Sequence, residues 1–190
     1  YTDLVVKINP DCKSFLFEPQ SEVFEKIKQK YTNSENIDVY NFAVSDSEKK
    51  QHLNLNKHDL TASLMSFDPN SSYLKFKAKL YQTDINNMNY AKELVQTITL
   101  DKFITDNNLK KIDLLKIDTE GNDFDVLVSA KNLIENNKIK LIKIELNNNE
   151  KNFLDICEFL FKNKYELIGM LNHTYVDNKL IIFDCYFKVE

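Results

Sequence analysis

The sequence contains no arginine: its 25 basic residues are all lysine, set against 29 acids for a net charge of -4. A nucleic-acid surface needs net positive charge and favours the planar guanidinium fork, so that class of partner is excluded. Glycine is nearly as scarce. The chain holds two, Gly121 and Gly169, where ordinary usage of ~7% would give about 13. No glycine-rich phosphate or dinucleotide loop fits within these residues. The three cysteines, Cys12, Cys157 and Cys185, are odd in number and far apart. They build neither a disulfide frame nor a zinc knuckle, and read as buried reduced thiols of a cytoplasmic protein. No apolar run approaches the ~18 residues that cross a bilayer, and no charged-then-apolar leader opens the chain, so no membrane partner is expected.

What is present is an ordinary globular balance: 190 residues, 43% hydrophobic and 28% charged, enough for one domain with its own core. Short apolar runs alternate with helical patterns, the signature of a mostly parallel sheet covered by helices. Tyr1 to Asn9 reads as the end of a helix stopped by Pro10. Strands are expected at 14–17, 37–44, 97–100, 113–117, 139–146, 165–171 and 180–189. Helices are expected at 21–31, 101–107, from Asp123 onward with Asp123 as its cap, and at 152–163. The last two strands would form a hairpin joined by a loop from His173 to Asn178. Between about 49 and 96 the pattern loosens into what reads as an insertion over a site, with a strand at 52–56. Within it, residues 74–80 alternate apolar and lysine, as a half-exposed strand would.

Ligands of open parallel sheets bind beyond the carboxyl ends of the strands, and here three expected strands end in acids. Phe15-Leu16-Phe17 runs into Glu18, Leu115-Lys116-Ile117 into Asp118 and Glu120, and Ile142-Lys143-Ile144 into Glu145. Glu18 stands where a carboxylate accepts hydrogen bonds from the vicinal hydroxyls of a ribose. Asp118 and Glu145 would end neighbouring strands, and two close carboxylates need a counter-charge. A divalent cation such as magnesium or manganese would provide it, with Asn147 as a neutral third ligand. Lys116 and Lys143 are the competing counter-charges, but strand alternation is expected to turn them to the other face.

Phe17-Glu18-Pro19, then Asn41-Phe42-Ala43-Val44-Ser45-Asp46, then Thr99-Leu100-Asp101, and above all Lys116-Ile117-Asp118-Thr119-Glu120-Gly121-Asn122-Asp123 follow one another in an order that resembles the FkbM-type methyltransferases, a family of S-adenosylmethionine-dependent O-methyltransferases. The resemblance spans about residues 1–150. It implies a Rossmann-like class I methyltransferase sheet, mostly parallel with an antiparallel last strand, and S-adenosylmethionine lying across the carboxyl ends of the first strands. By that likeness Glu18, beside Pro19, holds the ribose, Phe42, Ala43 and Asp46 border the adenine, and Asp118 lies near the transferable methyl. Related sugar O-methyltransferases place a divalent metal between acids that correspond to Asp118 and Glu145. The family's first strand and its glycine-bearing loop find no counterpart here, so the natural protein is expected to continue upstream of Tyr1.

The implied reaction is methyl transfer to a hydroxyl of a small molecule or sugar. Without metal it needs a general base, for which His173 and Glu120 are the candidates. The insertion, with Ser63, Ser66 and its lysine stripe, would form a lid suited to a phosphorylated or nucleotide-linked sugar, in a protein able to form a homodimer. The alternative is a non-catalytic Rossmann-like binding or assembly module that lacks the cofactor loop.

Overall fold

The computed structural model describes residues 1–56, 62–66, 68–147 and 150–189. In chain order the elements are α1 (Thr2–Ile8), β1 (Ser14–Phe17), α2 (Ser21–Lys30), β2 (Ile37–Tyr40), β3 (Ala43–Val44), β4 (Lys50–Asn56), β5 (Ala62–Ser63), α3 (Ser72–Leu80), β6 (Asn89–Ile98), α4 (Leu100–Asp106), β7 (Ile112–Ile117), α5 (Asp123–Ser129), α6 (Lys131–Glu135), β8 (Ile139–Asn147), α7 (Glu150–Lys162), β9 (Tyr165–Val176) and β10 (Lys179–Val189).

Among the described residues three sheets result, with orders β1-β2, β7-β8-β10-β9 and β3-β6-β4-β5. β1 with β2 and β7 with β8 are parallel, and β10 runs antiparallel to both of its neighbours. β1 and β7 do not pair with each other among the described residues. The alternation of β8 explains its placement. Ile142, Ile144 and Leu146 turn into the main core with Ile117, Phe183, Cys185 and Phe187, against Leu127 and Ile134 of the helices and Ile156 and Leu160 of α7. Lys143 and Glu145 necessarily face the other way. Phe15, Phe17 and Tyr40 pack on the same core. Their rings meet Phe103 edge-on at centroid distances of 5.5, 4.9 and 5.0 Å, so the short sheet is anchored by aromatic contacts.

Several expectations change. Residues 37–44 are not one strand: the chain breaks at Asn41, whose side-chain amide donates to the Glu18 and Pro19 carbonyls at 3.0 Å each. Ala43 and Val44 then pair with Thr97 and Ile98 in another sheet. Residues 74–80 are helix α3, not a strand. Ser71 caps it by accepting from the Leu74 amide, and Lys77 and Ala78 are buried while Lys75 and Lys79 are exposed. Seven alternating residues are too few to outweigh a cap, and a lysine stem buries readily on an inward face. Finally, His173 to Asn178 is not a loop. β9 and β10 run on until only Asp177 and Asn178 remain between the Val176–Lys179 pair. Both turn residues have positive φ, 49° and 62°, the two-residue turn that matches strand twist and that Asp and Asn tolerate.

Candidate active site

Beyond the end of β7 the chain turns through Asp118 to Asn122. Glu120 takes a left-handed φ of 55° and Gly121 one of 105°, and a Cβ at Gly121 would stand 3.5 Å from Met65 Cγ. Asp123 is buried, 2% exposed. Its Oδ1 accepts from the Thr119 amide at 3.1 Å and the Thr119 hydroxyl at 2.8 Å, so it ties the turn together. Asn122, not Asp123 as expected, stands at the N-cap position of α5; its side chain makes no capping hydrogen bond and its amide donates to the Val44 carbonyl at 3.1 Å. Burial pushes the Asp123 carboxyl above its usual range, against the Thr119 hydrogen bonds.

Asp118, Glu120, Asp123 and Glu145 line one small cleft with Tyr73, Gly121, Leu146 and Ile182. The charges there are largely matched. Lys116 Nζ reaches Asp118 Oδ2 at 2.5 Å. Lys116 and Asp118 are two residues apart, so alternation puts them on the same face, and the expectation that this lysine turns away is corrected. Lys77 Nζ lies 3.0 Å from Glu120 Oε1, and the Tyr73 hydroxyl donates to Glu120 Oε2 at 2.5 Å. Burial beside Glu120 pushes the Tyr73 hydroxyl far up, so it stays a donor. Behind them Lys143 pairs with Asp184 at 2.7 Å, both side chains buried. Glu145 has no ion pair among the described residues. Burial raises its carboxyl, helped by the Asp118 and Asp184 charges and opposed by Lys116.

These facts bear on the metal. Lys116 supplies the counter-charge that a cation between Asp118 and Glu145 was expected to supply. Among the described residues no three His, Cys, Asp or Glu side chains form a metal-holding group. The Asn147 side chain lies outside the described residues, as does His58. Among the described residues the donor set does not fit a divalent ion, and no step is routed through one.

Glu18 stands apart from this cleft, at the end of β1. Its Oε1 accepts from the Gln20 amide at 2.8 Å, while Oε2 has no hydrogen bond among the described residues. Burial raises its carboxyl, the Gln20 amide opposes this, and the Glu93 charge adds to it. Glu93, on β6, caps α2 by accepting from the Ser21 amide at 3.2 Å and from the Ser21 hydroxyl. This contact, 72 residues apart in sequence, carried no local sequence signal. Pro19 gives its carbonyl to Asn41. Phe42 is half-buried and stacks on Tyr40 at 6.4 Å, and Ala43 is buried beside it in the chain.

Asp46 is exposed and borders a different, open depression of about 510 Å³ with Asp101, Lys102 and Lys131. The Ser47 hydroxyl and then Lys49 hold its carboxyl below the usual range. Asp101, the last residue of the Thr-Leu-Asp motif, accepts from the Asn132 and Leu133 amides at 2.9 and 3.1 Å and so caps α6. His173 lies exposed in β9, its ring 6.3 Å from that of Tyr175, and is not among the residues that line the cleft.

A family model described as the methyltransferase FkbM domain matches residues 2–167. The chain belongs to that family. Among solved structures, the methyltransferase FkbM from Methylobacillus flagellatus KT superposes with a TM-score of 0.58 at 14% identity. The alignment covers 97% of this chain and 40% of that one, so the chain spans about two fifths of its relative's length. The likeness shows a shared α/β fold, the class that the sequence led us to expect. No curated protein matches the chain. Among the described residues no helix is long and apolar enough to cross a membrane.

Proposed function

We propose that the chain forms the cofactor and acceptor site of an S-adenosylmethionine-dependent methyltransferase acting on a hydroxyl of a small molecule or sugar. The observation that carries this reading is the half-open Glu18 carboxylate at the end of β1, in an FkbM-family fold whose β7 and β8 ends hold a second set of carboxylates. When bound, S-adenosylmethionine supplies a methyl on a positively charged sulfur, which keeps the bonding electron pair as an acceptor oxygen takes the carbon.

The chain's own residues divide the remaining work. Glu18 Oε2 accepts from the ribose hydroxyls, and Phe42 offers a ring face to the base. Asp118, held by Lys116, marks the methyl side. Removal of the acceptor's proton falls to Glu145. Asp118 and Glu120 already carry lysine partners, while Glu145 lines the cleft with no ion pair among the described residues. His173, exposed on β9, is not among the residues that line the cleft, so the proton is assigned to Glu145 and not to it. Alignment of oxygen, methyl and sulfur supplies up to ~7 to 11 kcal/mol of such a barrier and a positioned base about 10² to 10⁴ in rate.

The test is calorimetry of S-adenosylmethionine on the full chain, with and without added magnesium or manganese. We expect binding that Glu18→Ala weakens and that the metals leave unchanged. Absence of binding under every condition would turn the reading toward a non-catalytic module.

A further inference from the structure

Behind Asp118, which is exposed at its rim, the cleft that holds Glu145 is nearly shut. Its free volume is about 10 Å³, the space of a single water and far below that of any methyl acceptor. What shuts it is the insertion. The Tyr73 hydroxyl and Lys77 of α3 each take one oxygen of Glu120, at 2.5 and 3.0 Å. Ser63 Oγ donates to the Glu120 carbonyl at 2.8 Å, and Met65 closes on Gly121. The Lys77 ammonium also sits 4.8 Å from the Tyr73 ring centre. The three hydrogen bonds from Ser63, Tyr73 and Lys77 converge on Glu120, which holds a left-handed φ of 55°, a conformation that costs energy and persists only where surroundings hold it.

We propose that Glu120 is the catch of a gate: it pins α3 across the cleft through Tyr73 and Lys77, and the acceptor enters when those two contacts part. Glu120 is therefore a positioning residue. Each of its carboxylate oxygens already accepts from α3, which disfavours its taking a substrate proton in the closed state. The lysines expected to greet a phosphorylated acceptor serve otherwise, since Lys77 faces Glu120 while Lys75 and Lys79 face solvent. The contacts that hold the gate are polar, two from side chains of one helix and one from a serine, so opening exposes groups that water can satisfy and leaves the main core under β7, β8 and β10 intact. The inference deepens the methyltransferase reading by giving its acceptor a way in, although the gate itself is tested without any acceptor.

The experiment places a thiol on the cleft wall with Ile182→Cys in the full chain and follows its modification by a small methanethiosulfonate reagent, residue by residue, by peptide mass spectrometry. The native Cys157 and Cys185, buried in the core, report global unfolding in the same sample. We expect Cys at 182 to label at least tenfold faster than Cys157 and Cys185. Tyr73→Phe with Lys77→Met should raise the rate at 182 by a further tenfold or more and leave the core thiols unchanged. Glu120→Gln, which keeps an acceptor for Tyr73 but no charge for Lys77, should fall between. Labelling at 182 that only matches the core thiols, or that ignores the α3 substitutions, overturns the gate. Loss of S-adenosylmethionine binding with the labelling pattern intact overturns the methyltransferase reading alone.

Discussion

Glu18 and Glu120 both stand just beyond parallel strands, one after β1 and one after β7, and their surroundings differ in every respect that matters chemically. Glu18 keeps one carboxylate oxygen unclaimed and faces the like charge of Glu93. Glu120 has both oxygens claimed by α3, its side chain 17% exposed and that of its partner Lys77 9%. Position at a strand end thus does not assign a role. What decides it is whether the fold has already satisfied the group: a half-satisfied carboxylate still has bonding capacity for a ligand, and a fully satisfied one holds structure together.

The largest effect that would sharpen this contrast belongs to the third carboxylate. Glu145→Gln removes the unpaired acid of the cleft while keeping its shape, and should lower methyl transfer by about 10² to 10⁴ with S-adenosylmethionine affinity changed less than about twofold. Single-turnover rates with a pool of hexoses and nucleotide sugars, set beside calorimetry, separate the two quantities. A variant that turns over like the parent means that the proton leaves by another route.

Next in size is the pair at the centre of the comparison. A hydrogen bond to a charged group contributes roughly 1.5 to 3 kcal/mol, so Glu18→Ala should weaken S-adenosylmethionine binding by about ten- to a hundredfold. Glu120→Gln should leave that affinity within about twofold, since its oxygens are spent on α3. Equal losses from both substitutions would erase the distinction between an open and a satisfied carboxylate.

Much of this arrangement was legible in the sequence because it is local. The acid after Phe15-Leu16-Phe17, the turn at Asp118 to Asp123 and the inward face of Ile142, Ile144 and Leu146 all follow from strand alternation and chain order. The features that were not legible are those in which a distant segment decides the outcome. Nothing near Glu120 announces Tyr73 and Lys77, and nothing near Ser21 announces Glu93. Residues 74–80 read as a strand because a period of two over seven residues overlaps with an amphipathic helix whose lysines snorkel. The pairing of Lys116 with Asp118 was within reach, since residues two apart on an extended chain share a face, and applying that rule strictly supplies the counter-charge without a metal.

The smallest expected effect is on stability against pH, and its sign follows from which carboxyls the fold pushes up. Burial raises Glu18, Asp123 and Glu145 above their ordinary values, with like charges adding to it at Glu18 and Glu145. A raised folded value means that the folded state binds these protons more tightly than the unfolded chain does. The stability they contribute is therefore present at mildly acidic pH and is lost as pH rises through the raised values. Asp46, held low by Ser47 and Lys49, works in the opposite sense, and its contribution is lost only as pH falls below the ordinary carboxylate range of roughly 4. Thermal unfolding should then show a melting temperature that climbs as pH drops through the raised carboxyl values toward that range and falls below it. Glu145→Gln and Glu18→Gln should each flatten the upper part of the curve, because each removes one proton whose binding distinguishes the folded from the unfolded chain. A melting temperature that instead rises steadily toward alkaline pH would mean that these carboxylates are stabilised in their ionised form, and that the open oxygen of Glu18 has a cationic partner.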